Sequence, residues 1–308
     1  MVETTGNLAG ALPQPHIFAG SRVSERRKFW RRILRLKGGL AGGIVTLILV
    51  LIAIFGPLLA PHDPIAGKIT DRLRPPVWLG GTRNFLLGTD QIGRDELSRL
   101  ILGTRVSLEA GAAGTLVACI VGVLLGLLAG YFGGIVDWFI STAVNVMLTF
   151  PFVLLALAVI AVLGTSFRNL IIVLAITAWP IYTRVVRAQV QTLREREFIQ
   201  AARVIGAGNT RIMLRHALPN VVNSIIVIAS LQVAQLIILE SFLSFLGLGV
   251  QPPTPSWGSM LGESRTYMFD RWWLATFPGL AIFVTTLAIN LFGDGLRDLL
   301  DPRSRNTI

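Results

Sequence analysis

Between Gly39 and Ala60 the chain runs for 22 residues without a charge, and five further apolar stretches follow before residue 293. A bilayer core of about 30 Å takes roughly 20 such residues as helix, because hydrocarbon offers no partner to a backbone N–H or C=O. The stretches read as six spans, at about 39–60, 106–130, 138–162, 169–183, 221–248 and 272–293. The fourth is shorter than a bilayer requires and reads equally as a buried or re-entrant segment. Hydrophobic residues make up 53% of the chain and charged residues 15%, against about 25% charged in a soluble domain. The pattern predicts an all-α polytopic membrane protein and excludes a soluble enzyme. A single cysteine, Cys119, forms no internal disulfide, and His16, His62 and His216 stand far apart, so no metal site is expected.

The net charge of +11 is concentrated between the apolar stretches. Lys and Arg in that position set orientation in a membrane, and nucleic acid is not an expected partner. With the N-terminus inside, the segments 1–38, 131–137, 184–219 and 294–308 hold 18 of the 28 basic residues, and both termini are cytoplasmic. Eight basic residues fall between Ser21 and Gly38, with Arg27, Arg31 and Arg35 at helical spacing and Phe29, Trp30, Ile33 and Leu34 on another side. This suits an amphipathic helix on an anionic membrane surface, the alternative being a solvated basic tail.

Within the spans, Ala110, Gly114, Ala118, Gly122, Gly126 and Gly130 recur every four residues. Small residues at that spacing let a second helix approach closely, so the spans are expected to pack as a tight bundle. Glu240 interrupts the fifth span. A carboxylate there faces protein or water, either as a pathway residue or as a hydrogen-bonded tie between helices. Asn145 and Asn290 are expected interhelical hydrogen-bond partners, and Pro151, Pro180 and Pro278 are expected kinks. In the external loop 61–105, two readings stand for Asp90, Arg94, Asp95 and Arg99: pairing with one another, or contact with a neighbouring protein.

The cytoplasmic segment 184–219 carries the most information. Good helix formers over Glu195–Ile205 present an apolar stripe at Phe198, Ala201, Ala202 and Ile205. Gly206-Ala207-Gly208 breaks the pattern, and Asn209 or Thr210 caps a second helix that stops before Leu218-Pro219. Such a helical hairpin either lies on lipid or docks into a groove on a partner, and composition admits both.

The segment resembles the E-A-A loop of ABC importer permeases: E-A-A, three residues, Gly, nine residues, then I-x-L-P. Ala201, Ala202, Gly206, Leu218 and Pro219 match, whereas Gln200 replaces the glutamate and His216 the isoleucine. Further stretches resemble the C-type permease subunit of the dipeptide/oligopeptide importer family. They are Ala60–Pro64 (APHDP), Leu87–Leu108 (LGTDQIGRDELSRLILGTRVSL), Gly126–Gly134 (GLLAGYFGG), Leu193–Arg203 (LREREFIQAAR), Ser244–Leu261 (SFLGLGVQPPTPSWGSML) and Asn290–Arg303 (NLFGDGLRDLLDPR).

The resemblance implies a non-catalytic permease domain over 39–293 in a bacterial inner membrane. It implies a homologous second permease, two ATPase subunits that bind ATP and magnesium, and an extracytoplasmic substrate-binding protein. Gln200, Ala201, Ala202, Gly206, Leu218 and Pro219 would form the coupling hairpin seated on an ATPase, whose motion opens the bundle alternately to each side. The chain itself has three lysines, and its sole Gly-Lys pair, Gly67-Lys68, is followed by Ile69. It therefore lacks a phosphate-binding loop. Peptides are the expected substrate. Nickel complexes, glutathione or sugars are the alternatives within the family, and a channel or secondary transporter the alternative outside it.

Overall fold

The computed structural model describes residues 37–300. The basic segment before Lys37, with the surface helix expected there, lies outside the described residues. Among those described, the chain is helical, with no strand and one isolated bridge between Thr89 and Asp95. In chain order the helices are α1 (Lys37–Leu59), α2 (Glu96–Phe132), α3 (Gly134–Thr149), α4 (Phe152–Leu163), α5 (Phe167–Arg194), α6 (Glu197–Val204), α7 (Asn209–Phe245), α8 (Trp257–Ser264) and α9 (Trp273–Leu300). Five of them, α1, α2, α5, α7 and α9, are long and apolar enough to cross a membrane, and α3 with α4 makes a sixth span if the pair is counted as one.

Local chemistry sets the ends. Asp95 caps α2 by accepting from the Ser98 backbone N–H at 2.9 Å and its hydroxyl at 2.6 Å. Ser166 caps α5 by accepting from the Asn169 N–H. The Asn169 amide then donates back to the carbonyls of Leu163 and Gly164, closing the end of α4. Ser256 and Ser259 form a reciprocal capping box at the start of α8.

The third and fourth spans differ from their sequence reading. The stretch 138–162 is not one helix: α3 and α4 meet at 97°. Phe150 is extended, as the residue before a proline tends to be, and Pro151 begins the new helix. The fourth segment is neither short nor re-entrant. It is the 28-residue α5, because Arg184 and Arg187, which look like the end of a span, are carried onward by polar partners on α3. Arg184 donates to Asn145 Oδ1 at 3.1 Å, and Arg187 forms an ion pair with Asp137, Nη2 to Oδ2 being 2.7 Å. Pro180 and Pro278 lie inside continuous helices.

Close packing explains the small-residue stripe. All six of its members are buried, and Gly122, Gly126 and Gly130 lie against α5. A Cβ on Gly122 would come within 2.5 Å of the Trp179 carbonyl oxygen, and one on Gly126 within 2.7 Å of Val186 Cβ. The Thr183 hydroxyl donates to the Gly122 carbonyl across the same seam. A second close approach joins α1 to α9, where a Cβ on Gly42 would lie 2.5 Å from the Ala288 carbonyl oxygen. The rest of α1 turns apolar side chains such as Leu47, Ile54 and Leu58 outward, an exposure that suits lipid.

Candidate coupling surface and a buried ion network

The chain leaves α5 at Arg194 and enters α6 through a tight turn in which the Gln200 side-chain amide donates to the Arg194 carbonyl at 3.2 Å. Ile199 and Ala202 are buried against Leu127, Tyr131, Val186, Val190, Ile212 and Ala217. The other side of α6 is exposed and apolar: Phe198, Ala201, Val204 and Ile205, the last two 86% and 83% exposed. The stripe expected at Phe198, Ala201, Ala202 and Ile205 is thus divided. Ala202 faces inward with Ile199, and the remainder faces out with Val204.

The turn after α6 is a Schellman motif. The Ala207 N–H donates to the Ala202 carbonyl and the Gly206 N–H to the Arg203 carbonyl, both at 3.0 Å, with Gly206 at φ +85°. A Cβ on Gly206 would meet open space, so the left-handed backbone, and not crowding, calls for glycine here.

The second hairpin helix does not stop before Leu218-Pro219. It runs on as α7 to Phe245, passing through a π-helical stretch at Ile212–Ala217. In that wider turn the Leu218 N–H reaches back five residues to the Met213 carbonyl, and Pro219 opens the regular helix that follows, where its missing N–H is tolerated.

Of the polar span residues, Glu240 is wholly buried. Its carboxylate accepts from Ser107 of α2 at 3.0 Å, from Ser244 at 2.7 Å and from Ser241 at 3.3 Å. Asn145 meets Arg184, as described. Asn290, expected to pair between helices, lies instead on the exposed side of α9, one residue beyond buried Ile289.

Three of the four loop residues, Asp90, Arg94 and Arg99, find one another, with a partner that sequence reasoning missed. Asp90 Oδ2 accepts from Arg94 Nε at 2.5 Å and also pairs with Arg99. Glu263, on α8, accepts from Arg94 Nη2 at 2.6 Å and holds both terminal nitrogens of Arg99, at 2.8 and 3.0 Å, while Gln91 donates to it at 2.8 Å. Burial alone would raise the pKa of both carboxyls. The Arg99 guanidinium reverses this at each, with backbone N–H donors adding at Asp90, so both stay below the ordinary carboxylate value. Asp95 stands beside the network and caps α2, with His62 Nδ1 at 3.6 Å.

Comparison with known proteins fits this geometry. Residues 122–306 match the family described as "Binding-protein-dependent transport system inner membrane component", and residues 24–76 match "N-terminal TM domain of oligopeptide transport permease C". A di/tripeptide transport system permease protein of Pseudomonas aeruginosa is 45% identical over 92% of this chain and 94% of its own length. The chain belongs to this family of importer permeases. A glutathione transport system permease protein of Pectobacterium atrosepticum is 44% identical, covering 91% of this chain and 92% of that one. A dipeptide transport system permease protein of Haemophilus influenzae is 42% identical over 90% and 94%. Among solved structures, a chain of the MetNI methionine ABC transporter in inward-facing conformations aligns with a TM-score of 0.53 and 18% identity, over 66% of this chain and 96% of that one. At that identity the likeness speaks for the shared fold.

As an ABC importer permease, the chain keeps the spacing of the E-A-A loop. Ala202 is buried under the hairpin beside Ile199, and Gly206 supplies the left-handed turn. Gln200 departs from the family pattern, and its amide ties α6 to the end of α5 through the Arg194 carbonyl, a bond that an ionised glutamate could not donate.

Proposed function

We propose that this permease imports dipeptides or tripeptides and forms half of the translocation pathway beside a homologous permease subunit. Two ATPase subunits bind ATP and magnesium beneath the pair, and an extracytoplasmic binding protein delivers the peptide. Both termini and the hairpin face the cytoplasm of a bacterial cell. The observation that carries the coupling role is the exposed apolar face of α6, Phe198, Val204 and Ile205, held on a rigid Schellman turn amid basic residues. Such a face on a charged surface fits an apolar groove on a partner better than it fits water. The names of the relatives support the peptide. Glutathione is the second reading, favoured by the relative from Pectobacterium.

The test is purification of the tagged permease from its native membrane in mild detergent. A second permease and one or two ATPases should accompany it, and Ile205→Asp should remove the ATPases while the permease pair remains. Loss of neither partner in that variant would sink the docking role. Competition of labelled dipeptide uptake by excess glutathione would then separate the two substrate readings.

A further inference from the structure

Two pieces of the hairpin meet on one side chain outside it. Tyr131 lies at the last turn of α2 and is 6% exposed. Its hydroxyl donates to Asn209 Oδ1 at 2.9 Å, at the start of α7. Its ring lies beneath Arg203 of α6, with the guanidinium carbon 5.9 Å from the ring centroid. Its backbone carbonyl accepts from Arg194 Nη1, at the end of α5, at 3.3 Å. The ring also packs in the apolar cluster that holds Ile199 and Ala202.

The rest of α2 makes this convergence consequential. Immediately above Tyr131, Gly122, Gly126 and Gly130 are seated against α5 with no room for a Cβ, so α2 and α5 move as one body. The hairpin is otherwise joined to that body by the chain at Arg194, by the Gln200 amide on the Arg194 carbonyl, and by the apolar contacts of Ile199, Ala202, Ile212 and Ala217. A push on α6 that reaches only the backbone at Arg194 can be absorbed by the turn at 195–196. A push that also bears on the Tyr131 ring and hydroxyl is delivered to α2 at its end.

We infer that Tyr131 is a positioning residue for coupling: it keys the hairpin to the α2–α5 body, so that movement imposed on α6 by an ATPase is transmitted into the spans. The inference rests on the coupling role proposed above and adds the residue through which that role operates. The hydroxyl contact sets the position of Asn209, and the ring carries Arg203. Tyr131→Phe removes the first and keeps the second. A single hydrogen bond of ordinary net strength corresponds to about a fivefold change in the balance between seated and unseated hairpin.

The experiment uses the complete complex with both permeases, the ATPases and the binding protein, in lipid nanodiscs. Hydrogen exchange is followed for residues 123–132 and 197–212, with and without a non-hydrolysable ATP analogue. In the native complex the analogue should alter exchange in both segments. In Tyr131→Phe and in Asn209→Ala, ATPase co-purification and the response at 197–212 should persist, while the response at 123–132 falls about fivefold. The double variant should lose no more than either single one, since both remove the same bond. A merely structural role would change exchange equally with and without nucleotide, and that result overturns the inference. So does an unchanged response at 123–132 in both single variants. A native complex that retains no ATPase would instead sink the coupling role itself, and the inference with it.

Discussion

Gly206 and Glu240 show how far single residues decide this molecule. The left-handed φ of Gly206 has open space around it, so a substitution is opposed by backbone strain alone. Gly206→Val should strain the turn by about 1–2 kcal/mol, because a β-branched residue tolerates that region poorly. Gly206→Asn should be milder, since Asn visits it readily. We expect the valine variant to assemble with ATPases yet transport less per ATP hydrolysed, and the asparagine variant to lie between it and the native protein. Equal transport per ATP in all three would count against a rigid turn. Glu240 is opposite in kind, being fully enclosed by serine hydroxyls. Glu240→Gln keeps one acceptor oxygen for those hydroxyls and offers an NH2 that a rotated serine hydroxyl can accept from, so it should assemble and transport within a few-fold of native. Glu240→Leu leaves them stranded, at about 1–3 kcal/mol for each buried group unmet, and should lower the melting temperature of the purified permease. The glycine was readable in advance, since a Gly four residues past the second of the paired alanines marks a helix stop. The contacts of Glu240 were not, because Ser107 lies 133 residues away.

At the scale of helices, apolar length found five long helices and a sixth stretch that is broken in two, and small-residue spacing predicted the tight seam between α2 and α5. Gly126→Leu should drive a side chain into Val186 and the Thr183 carbonyl. Overpacking of this kind costs about 1–3 kcal/mol, so we expect less folded permease in membranes, measured against Leu124→Ala on the exposed side of the same helix as a control. The sequence reading failed where a helix end depends on a distant partner. Arg184 and Arg187 terminate an apolar run, but Asn145 and Asp137 on α3 satisfy them, and α5 continues to Arg194. Pro151 announces a disturbance without its size, because a proline inside a span yields either a mild kink or, as here, a right-angle break. The apolar stripe of α6 was misassigned for a related reason. Periodicity finds a stripe of apolar residues, and a helix with apolar residues on two sides does not reveal which one faces its own protein.

For the molecule as a whole, the ion network joins the loop before α2, the start of α2 and the short helix α8. Its pH dependence has a definite sign. Asp90 and Glu263 are held below the ordinary carboxylate value in the folded state, so their contribution is complete above the unfolded value of about 4 and is lost as pH falls through the folded values. Hydrogen exchange over 86–100 should accelerate below about pH 4, and Glu263→Gln should flatten that acid limb. Unchanged acid sensitivity in the variant would remove Glu263 from the network's stabilising set. The same network has a consequence for how the protein is made. Arg94 and Arg99 leave the ribosome long before Glu263, which follows them by 169 and 164 residues. Until Glu263 is translated, two guanidiniums share Asp90 as their acid within the network. The N-terminal end of α2 is therefore completed late, its two arginines waiting on an acid that the chain supplies only through α8.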